Sequence, residues 1–417
     1  MSWRGSLSPN GKSKSLGHFE GLNNSPIPRA SSVTPLGGFH KHLYSEHEMP
    51  VTDLALCYED KILASGSKDN TVCLWDWEEM LPYGPLPTLR GHTSIITCLL
   101  GMGGVLASGS KDCTVRVWDI KNGKPTPVAI LRSESPVTCM ADMGQGQLAV
   151  GWASGEVWIW SMVGPSSSTK PLVLLAHSHC PVIALVVPPL SAGPAALVSA
   201  GGSSCSVWGR AGNLLATFDG SPCHLTCLAL FAPPHSSNLP VILASGDTAG
   251  TVRLWSLEGG YEALAPIQAH LGSVRSVRFF TAEERGWLLT AGEDGKAKLW
   301  DGGGLGLEGG ASALPAPFFG CATPRAEFSV TTKSTGAHGK EPFLPPTVWA
   351  ADSLGLGRVV CCLEAGAAVF VSNGFLSHLE HSFPLPGISA FSLLPSSRGF
   401  AVGLLDGTVH QFLQTLQ

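Results

Sequence analysis

The chain has 417 residues, 44% of them apolar and 14% charged, with 26 Lys and Arg against 31 Asp and Glu for a net charge of −5. That balance excludes the basic stripe of a nucleic-acid binder, and no apolar run reaches the ~18 residues of a membrane-spanning helix. The 12 cysteines include no CxxC pair; with no export pattern at the N-terminus, the expectation is buried, reduced thiols in the cytoplasm, with the nucleus as the alternative compartment.

Residues 1–36 are rich in Ser, Pro, Asn and Gly and poor in apolar side chains, the composition of a disordered tail. The tail carries Ser8-Pro9, Ser25-Pro26, Thr34-Pro35 and Arg29–Ser32, short patterns for kinases that also arise by chance. Gly11-Lys12-Ser13 lacks both the glycine spacing and the preceding strand of a phosphate-binding loop.

From residue 38 a ladder of tryptophans sets the organisation: Trp75, Trp118, Trp160, Trp208, Trp255 and Trp300 recur at intervals of 43, 42, 48, 47 and 45 residues. Each ends a short apolar run after a turn. A period of this length means stacked supersecondary units, none able to bury its apolar faces alone. The second unit is the clearest. It predicts strands at Ile95–Leu100, Val105–Ser108, Thr114–Trp118 and Val128–Leu131, separated by Gly and Ser–Lys–Asp turns.

Within that unit Gly91-His92, Ser108, Asp112 and Trp118-Asp119 stand in an order that resembles the WD-repeat β-propeller signature. The resemblance implies that His, hydroxyl, Asp and Trp form one hydrogen-bonded chain across the strands of a blade. A buried imidazole needs partners for both nitrogens, and the hydroxyl and carboxylate supply them. Unit one matches with His47, Ser65, Asp69 and Trp75, although Glu46 replaces the Gly. Unit six matches with His270, Thr290, Asp294 and Trp300. Unit three keeps only Trp160, with Val150 and Ser154 at the hydroxyl and Asp positions. Unit four keeps Ser199 and Trp208, with His177 or His179 ahead of them. Unit five keeps Ser245 and Trp255, with Ala249 in place of Asp.

Beyond Trp300 the pattern fades. The spacing places Cys361, Ala365 and Val371 at the hydroxyl, Asp and Trp positions of a seventh unit, and Val402, Asp406 and Phe412 at those of an eighth. The expected fold class is therefore all-β: a closed propeller over residues 37–417 with eight blades favoured and seven as the alternative. Residues 40–44 should pair with the last unit and close the ring, which removes free sheet edges. The Gly/Ala/Pro-rich stretch at 302–346 reads as an insertion, with one outer strand near Glu327–Thr332.

No catalytic or cofactor set emerges. Gly304–Gly309 matches G-x-G-x-x-G but sits in a loop of an all-β chain, where a dinucleotide site needs a following helix. His177, His179, Cys180, Cys205, Cys223, His224 and Cys227 are zinc-ligand types at a spacing of no common site. The repeated Ser–His–Asp set reads as architecture, since catalysis needs one copy. The resemblance implies a non-catalytic scaffold or adaptor in a multiprotein complex, with no cofactor. Lys68 and Lys111, each before a turn Asp in adjacent units, with Met49, Ser94 and Gly272, form a candidate partner-binding rim, and Arg90 or Arg132 lies near. Such a rim suits an acidic or phosphorylated peptide, which opens a second reading as substrate receptor of a ubiquitin ligase; a propeller enzyme is the third.

Overall fold

The computed structural model describes residues 33–36, 39–57, 61–76, 86–121, 125–162, 171–177, 180–189, 193–219, 222–233, 241–257, 266–282, 285–304, 324–329, 348–355, 358–363, 366–372, 377–385, 387–394 and 399–414. Among them every regular element is a strand, and the strands form eight antiparallel sheets. Blade 1 comprises Val51–Cys57, Ile62–Ser67 and Val72–Asp76, with Leu89 bridged to Val72 where a fourth strand would run. Blade 2 comprises Ile96–Met102, Val105–Ser110, Thr114–Asp119 and Thr126–Arg132. Blade 3 comprises Val137–Gly144, Gln147–Trp152, Glu156–Ser161 and Leu172–Leu175. Blades 4, 5, 6 and 7 are four-stranded sheets that begin at Val182, Leu225, Val274 and Val348.

Blade 8 takes three strands from the end of the chain, Ile388–Leu393, Gly399–Leu404 and Thr408–Gln414, and its outer strands from the beginning. Phe39–Ser45 lies antiparallel to Thr408–Gln414, from Phe39 opposite Gln414 to Ser45 opposite Thr408. Tyr44 donates its hydroxyl to Gln411 Oε1 at 2.6 Å, and Phe39 packs edge-on against Phe383 and Phe400. The expected closure is thus present. Val33–Leu36 adds a fifth strand outside it, so the sheet reaches into the last four residues of the expected tail. The rest of that tail, with Gly11-Lys12-Ser13 and the Ser-Pro sites, lies outside the described residues.

The ring is held by its innermost strands. The first strand of each blade packs beside the first strand of the next, and that of blade 8 beside that of blade 1. In blades 1, 2, 3, 5 and 8 the second strand meets the neighbouring blade through a glycine, while blades 4, 6 and 7 place Ala200, Ala291 and Cys362 at that register. A Cβ on Gly66 would lie 2.6 Å from Ile96 Cγ2, on Gly109 2.5 Å from Val137 Cγ1, and on Gly246 2.7 Å from Val274 Cγ1. These second strands are buried over most or all of their length, Ile62–Ser67 and Gly399–Leu404 at every residue. Burial on both faces explains why they read as apolar runs with small residues rather than as alternating strands. The apolar clusters accordingly lie between blades: one joins Ile62, Leu74 and Leu89 of blade 1 to Ile96, Leu106 and Trp118 of blade 2.

Two expectations need correction. The pairing of Val359 with Phe370 repeats that of Leu63 with Trp75, so Phe370 and not Val371 holds the tryptophan position of blade 7. A one-residue shortening of the turn, as in blade 4, displaced the alignment. The outer strand in the 302–346 stretch is Ala326–Ser329, earlier than the expected 327–332. Ala365 and most of that stretch lie outside the described residues.

Candidate partner-binding face

Each strong blade is locked by a chain of four side chains. In blade 2, Trp118 Nε1 donates to Ser108 Oγ at 3.1 Å, Ser108 Oγ lies 2.8 Å from His92 Nε2, and His92 Nδ1 lies 2.8 Å from Asp112 Oδ2. Blade 1 repeats this through Trp75, Ser65, His47 and Asp69, and blade 6 through Trp300, Thr290, His270 and Asp294, with every step between 2.8 and 3.0 Å. An ionised carboxylate can only accept, so Nδ1 donates to it and Nε2 accepts the hydroxyl proton, while the hydroxyl oxygen accepts the indole N–H. That fixes the proton of the neutral imidazole on Nδ1, where it meets the carboxylate.

The electrostatics agree. Burial holds the His92 imidazole below its ordinary value, against the pull of Asp112. For Asp112 burial alone would raise the carboxyl, but hydrogen bonds from Thr114, the Thr93 N–H and His92 outweigh it and leave the group lowered. Asp69 and Asp294 are lowered in the same way. These Ser, His and Asp side chains therefore satisfy one another inside the fold.

The weaker blades show how the chain is broken. Blade 4 uses His177, whose Nε2 lies 3.1 Å from Ser199 Oγ, while His179 lies outside the described residues; Ser204, at the position Thr114 holds in blade 2, places its Oγ 3.4 Å from Nδ1. Blade 5 replaces Ala249 with Asp247, a buried residue two places earlier that accepts the Ala249 and Thr251 N–H groups at 2.9 Å. Its Ser245 hydroxyl is buried with no partner among the described residues.

Blade 3 has lost the chain. Val137 pairs with Trp152 as Ile96 pairs with Ser110. Ser133 therefore stands at the His position, Val150 at the hydroxyl position and Ser154 at the Asp position. The Ser133 N–H donates to Cys113 O at 3.1 Å, the bond that His270 N–H makes to Gly250 O at 3.0 Å. In compensation Trp152, Trp158 and Trp160 form an aromatic cluster with centroids 5.4 to 6.1 Å apart. Alignment found Val150 and Ser154 but missed Ser133 and the cluster, whose one signal was the Trp158-Ile-Trp160 pair.

The candidate rim is partly assembled. Lys68 and Lys111 are exposed at equivalent turns of adjacent blades, their N–H groups donating to Pro50 O and Ile95 O at 2.9 Å. Met49 and Ser94 belong to the same loops, where their carbonyls accept from Ser67 and Ser110. Arg90 is exposed beside Leu89, just before blade 2, and Arg132 is exposed at the end of the outer strand of blade 2. Gly272 is not part of this set. It lies in blade 6, beside Glu293, which takes the Lys111 position there and is ion-paired to Arg275. The proposed zinc-ligand types do not assemble either: among the described residues no three His, Cys, Asp or Glu side chains come together as a metal site. Burial pushes the Cys205 thiol up to about 12, far from the thiolate that zinc takes.

Residues 38–76, 83–119, 212–256 and 262–301 match the model of the WD domain, G-beta repeat. The chain is a WD-repeat β-propeller. Each matched repeat starts on the outer strand of one blade and ends on the third strand of the next, and residues 38–76 thereby bridge blades 8 and 1. The propeller superposes on Sqt1 of Saccharomyces cerevisiae with a TM-score of 0.70 over 90% of this chain and 98% of that one, at 14% identity, a likeness of fold. By sequence it is 42% identical over 83 residues to telomerase protein component 1 of Mus musculus, covering 20% of this chain and 3% of that protein. It is 36% identical over 88 residues to the ribosome biogenesis protein WDR12 homolog of Chlamydomonas reinhardtii, covering 21% of this chain and 18% of that protein. The matches thus span under a fifth of the length of these relatives. No helix among the described residues is long and apolar enough to cross a membrane.

Proposed function

We propose that this WD-repeat propeller is a non-catalytic scaffold of the cytoplasm or nucleus that docks protein partners on its loops and outer strands. The observation that carries the reading is an apolar rim. Val128 and Ile130 on the outer strand of blade 2 are 61% and 41% exposed, and Leu175 of blade 3 is 78% exposed. Leu172 and Val173 of blade 3 and Leu214 of blade 4 continue the surface, and Leu172 reaches the Gly212 turn of blade 4. Exposed apolar surface shared by three successive elements marks interaction sites. The use of Ser, His and Asp as structural locks in three blades supports a non-catalytic role.

Purification from its own cells tests this. A discrete complex, lost on Leu172→Glu with Leu175→Glu, is the expected result; recovery of the propeller alone would overturn it. A second reading, as substrate receptor of a ubiquitin ligase for an acidic or phosphorylated peptide, is favoured by the exposed Lys68 and Lys111, and ligase subunits in the same purification would support it.

A further inference from the structure

Blade 3 has an opening where blades 1, 2, 4 and 6 have a histidine side chain. A cleft of ≈ 610 Å³ is lined by Arg132, Ser133, Glu134, Ser154, Glu156 and Trp158 among others. Two of these, Ser133 and Ser154, stand at the imidazole and carboxylate positions of the blade lock. Blade 2 fills the equivalent space with His92, whose ring N–H meets Asp112. In blade 3 the ring is gone, and a carboxylate is retained on another residue. Glu156 Oε2 accepts the Trp158 indole N–H at 2.9 Å, which fixes the carboxylate along the edge of the indole. Packing against Trp152 and Trp160 holds the indole in turn.

We propose that this cleft binds an arginine side chain presented by a protein partner, with the guanidinium stacked on Trp158 and paired to Glu156 and Glu134. Charge favours a cation, since the cleft is lined by two carboxylates, Glu134 and Glu156, and one guanidinium, Arg132. Shape favours a planar one. A guanidinium stacks on an indole, pairs with carboxylates through parallel N–H bonds and has further donors for the Ser133 and Ser154 hydroxyls. A compact ammonium would use the carboxylates but leave the indole face poorly covered. The partner would thus supply in trans the N–H donor that His92 supplies within blade 2. The inference rests on the scaffold reading only for the source of that side chain.

The test uses N-acetyl-arginine methylamide and its neutral counterpart, N-acetyl-citrulline methylamide, titrated into the full chain. The Trp158 indole N–H is followed by NMR and assigned with Trp158→Phe. Arginine should shift it saturably, with a Kd of about 1–10 mM as suits one side chain, and citrulline should bind at least about tenfold more weakly. Glu156→Gln retains an acceptor for the indole N–H, so the thermal midpoint should hold while arginine binding falls at least about tenfold. Equal binding of arginine and citrulline, no saturable shift, or full binding by a folded Glu156→Gln protein would each overturn the proposal. Purification of the propeller without partners would sink the scaffold reading while leaving this titration to stand or fall separately.

Discussion

Gly403 of blade 8 and Val51 of blade 1 meet across the closing seam as Gly246 and Val274 meet between blades 5 and 6. In both places a Cβ on the glycine would overlap the valine side chain. In both a hydroxyl clasps the two strands: Ser389 Oγ reaches Val51 O at 2.6 Å and Gly403 O at 3.2 Å, and Thr226 Oγ1 reaches Val274 O at 2.6 Å and Gly246 O at 3.1 Å. The seam is therefore an ordinary blade junction made by distant parts of the chain.

Gly403→Ala should destabilise the propeller by about 1–3 kcal/mol, because the valine it strikes is anchored close to the backbone and fully buried. Gly246→Ala should do the same. Denaturant melting checks both, and a seam variant as stable as wild type beside a weakened Gly246→Ala would show that blade 8 does not close on blade 1.

Ser108 and Ser245 occupy equivalent positions, yet they should respond oppositely. Ser108→Ala strands the Trp118 indole N–H and the His92 ring nitrogen, at about 1–3 kcal/mol. Ser245→Ala removes a hydroxyl without a partner among the described residues and should be neutral to within about 0.5 kcal/mol. Trp118→Ala, which empties a packed site, should cost about 3–5 kcal/mol. Equal losses for the two serine variants in urea melts would refute the lock.

His410 should make the seam sensitive to acid. Burial, and then the Lys41 charge on the closing strand, lower its imidazole to about 4. The folded value lies below the unfolded one, near 6.5, so the contribution is complete above pH 6.5 and is lost as pH falls toward 4. The loss is on the order of 2–3 kcal/mol. Burial of Asp53, pushed up to about 6, works in the opposite sense over the same range, so the readout is a difference. The stability gap between wild type and His410→Gln should narrow between pH 7 and pH 4.5; parallel curves would exclude this role.

Lys68→Glu with Lys111→Glu should leave the melting midpoint unchanged, since both side chains are exposed and the turn bonds of these residues come from their backbone N–H groups, which the substitution keeps. Capture of an acidic or phosphorylated partner should fall at least about tenfold. Undiminished capture would remove the basic rim from consideration.

The legibility of the sequence follows the locks. Blades 1, 2 and 6 announce themselves because a buried imidazole tolerates few substitutes for its two partners. Blade 3 is legible only through Trp160, because Ser133, Val150 and Ser154 are unremarkable residues once the imidazole is gone. Blade 5 hides its carboxylate at Asp247, which serves the turn from a different position. Blade 7 misleads by one residue, since Cys361 to Phe370 is shorter than Ser65 to Trp75 and both Phe370 and Val371 are apolar. The junction glycines are not legible in the sequence: their meaning lies in the neighbouring blade, which no local window contains. The basic rim was read from sequence spacing alone, and Gly272 fell outside it because three units of sequence separate blades that the ring sets apart.

The pairing of Tyr44 with Gln411 spans 367 residues. A ribosome adding about 5–20 residues per second releases the second strand roughly 20–70 s after the first. During that interval Phe39–Ser45 has apolar side chains and an unmatched backbone edge but no strand to receive it. The propeller's most exposed moment thus comes during its synthesis, and the ring closes only when Thr408–Gln414 arrives to pair with Phe39–Ser45.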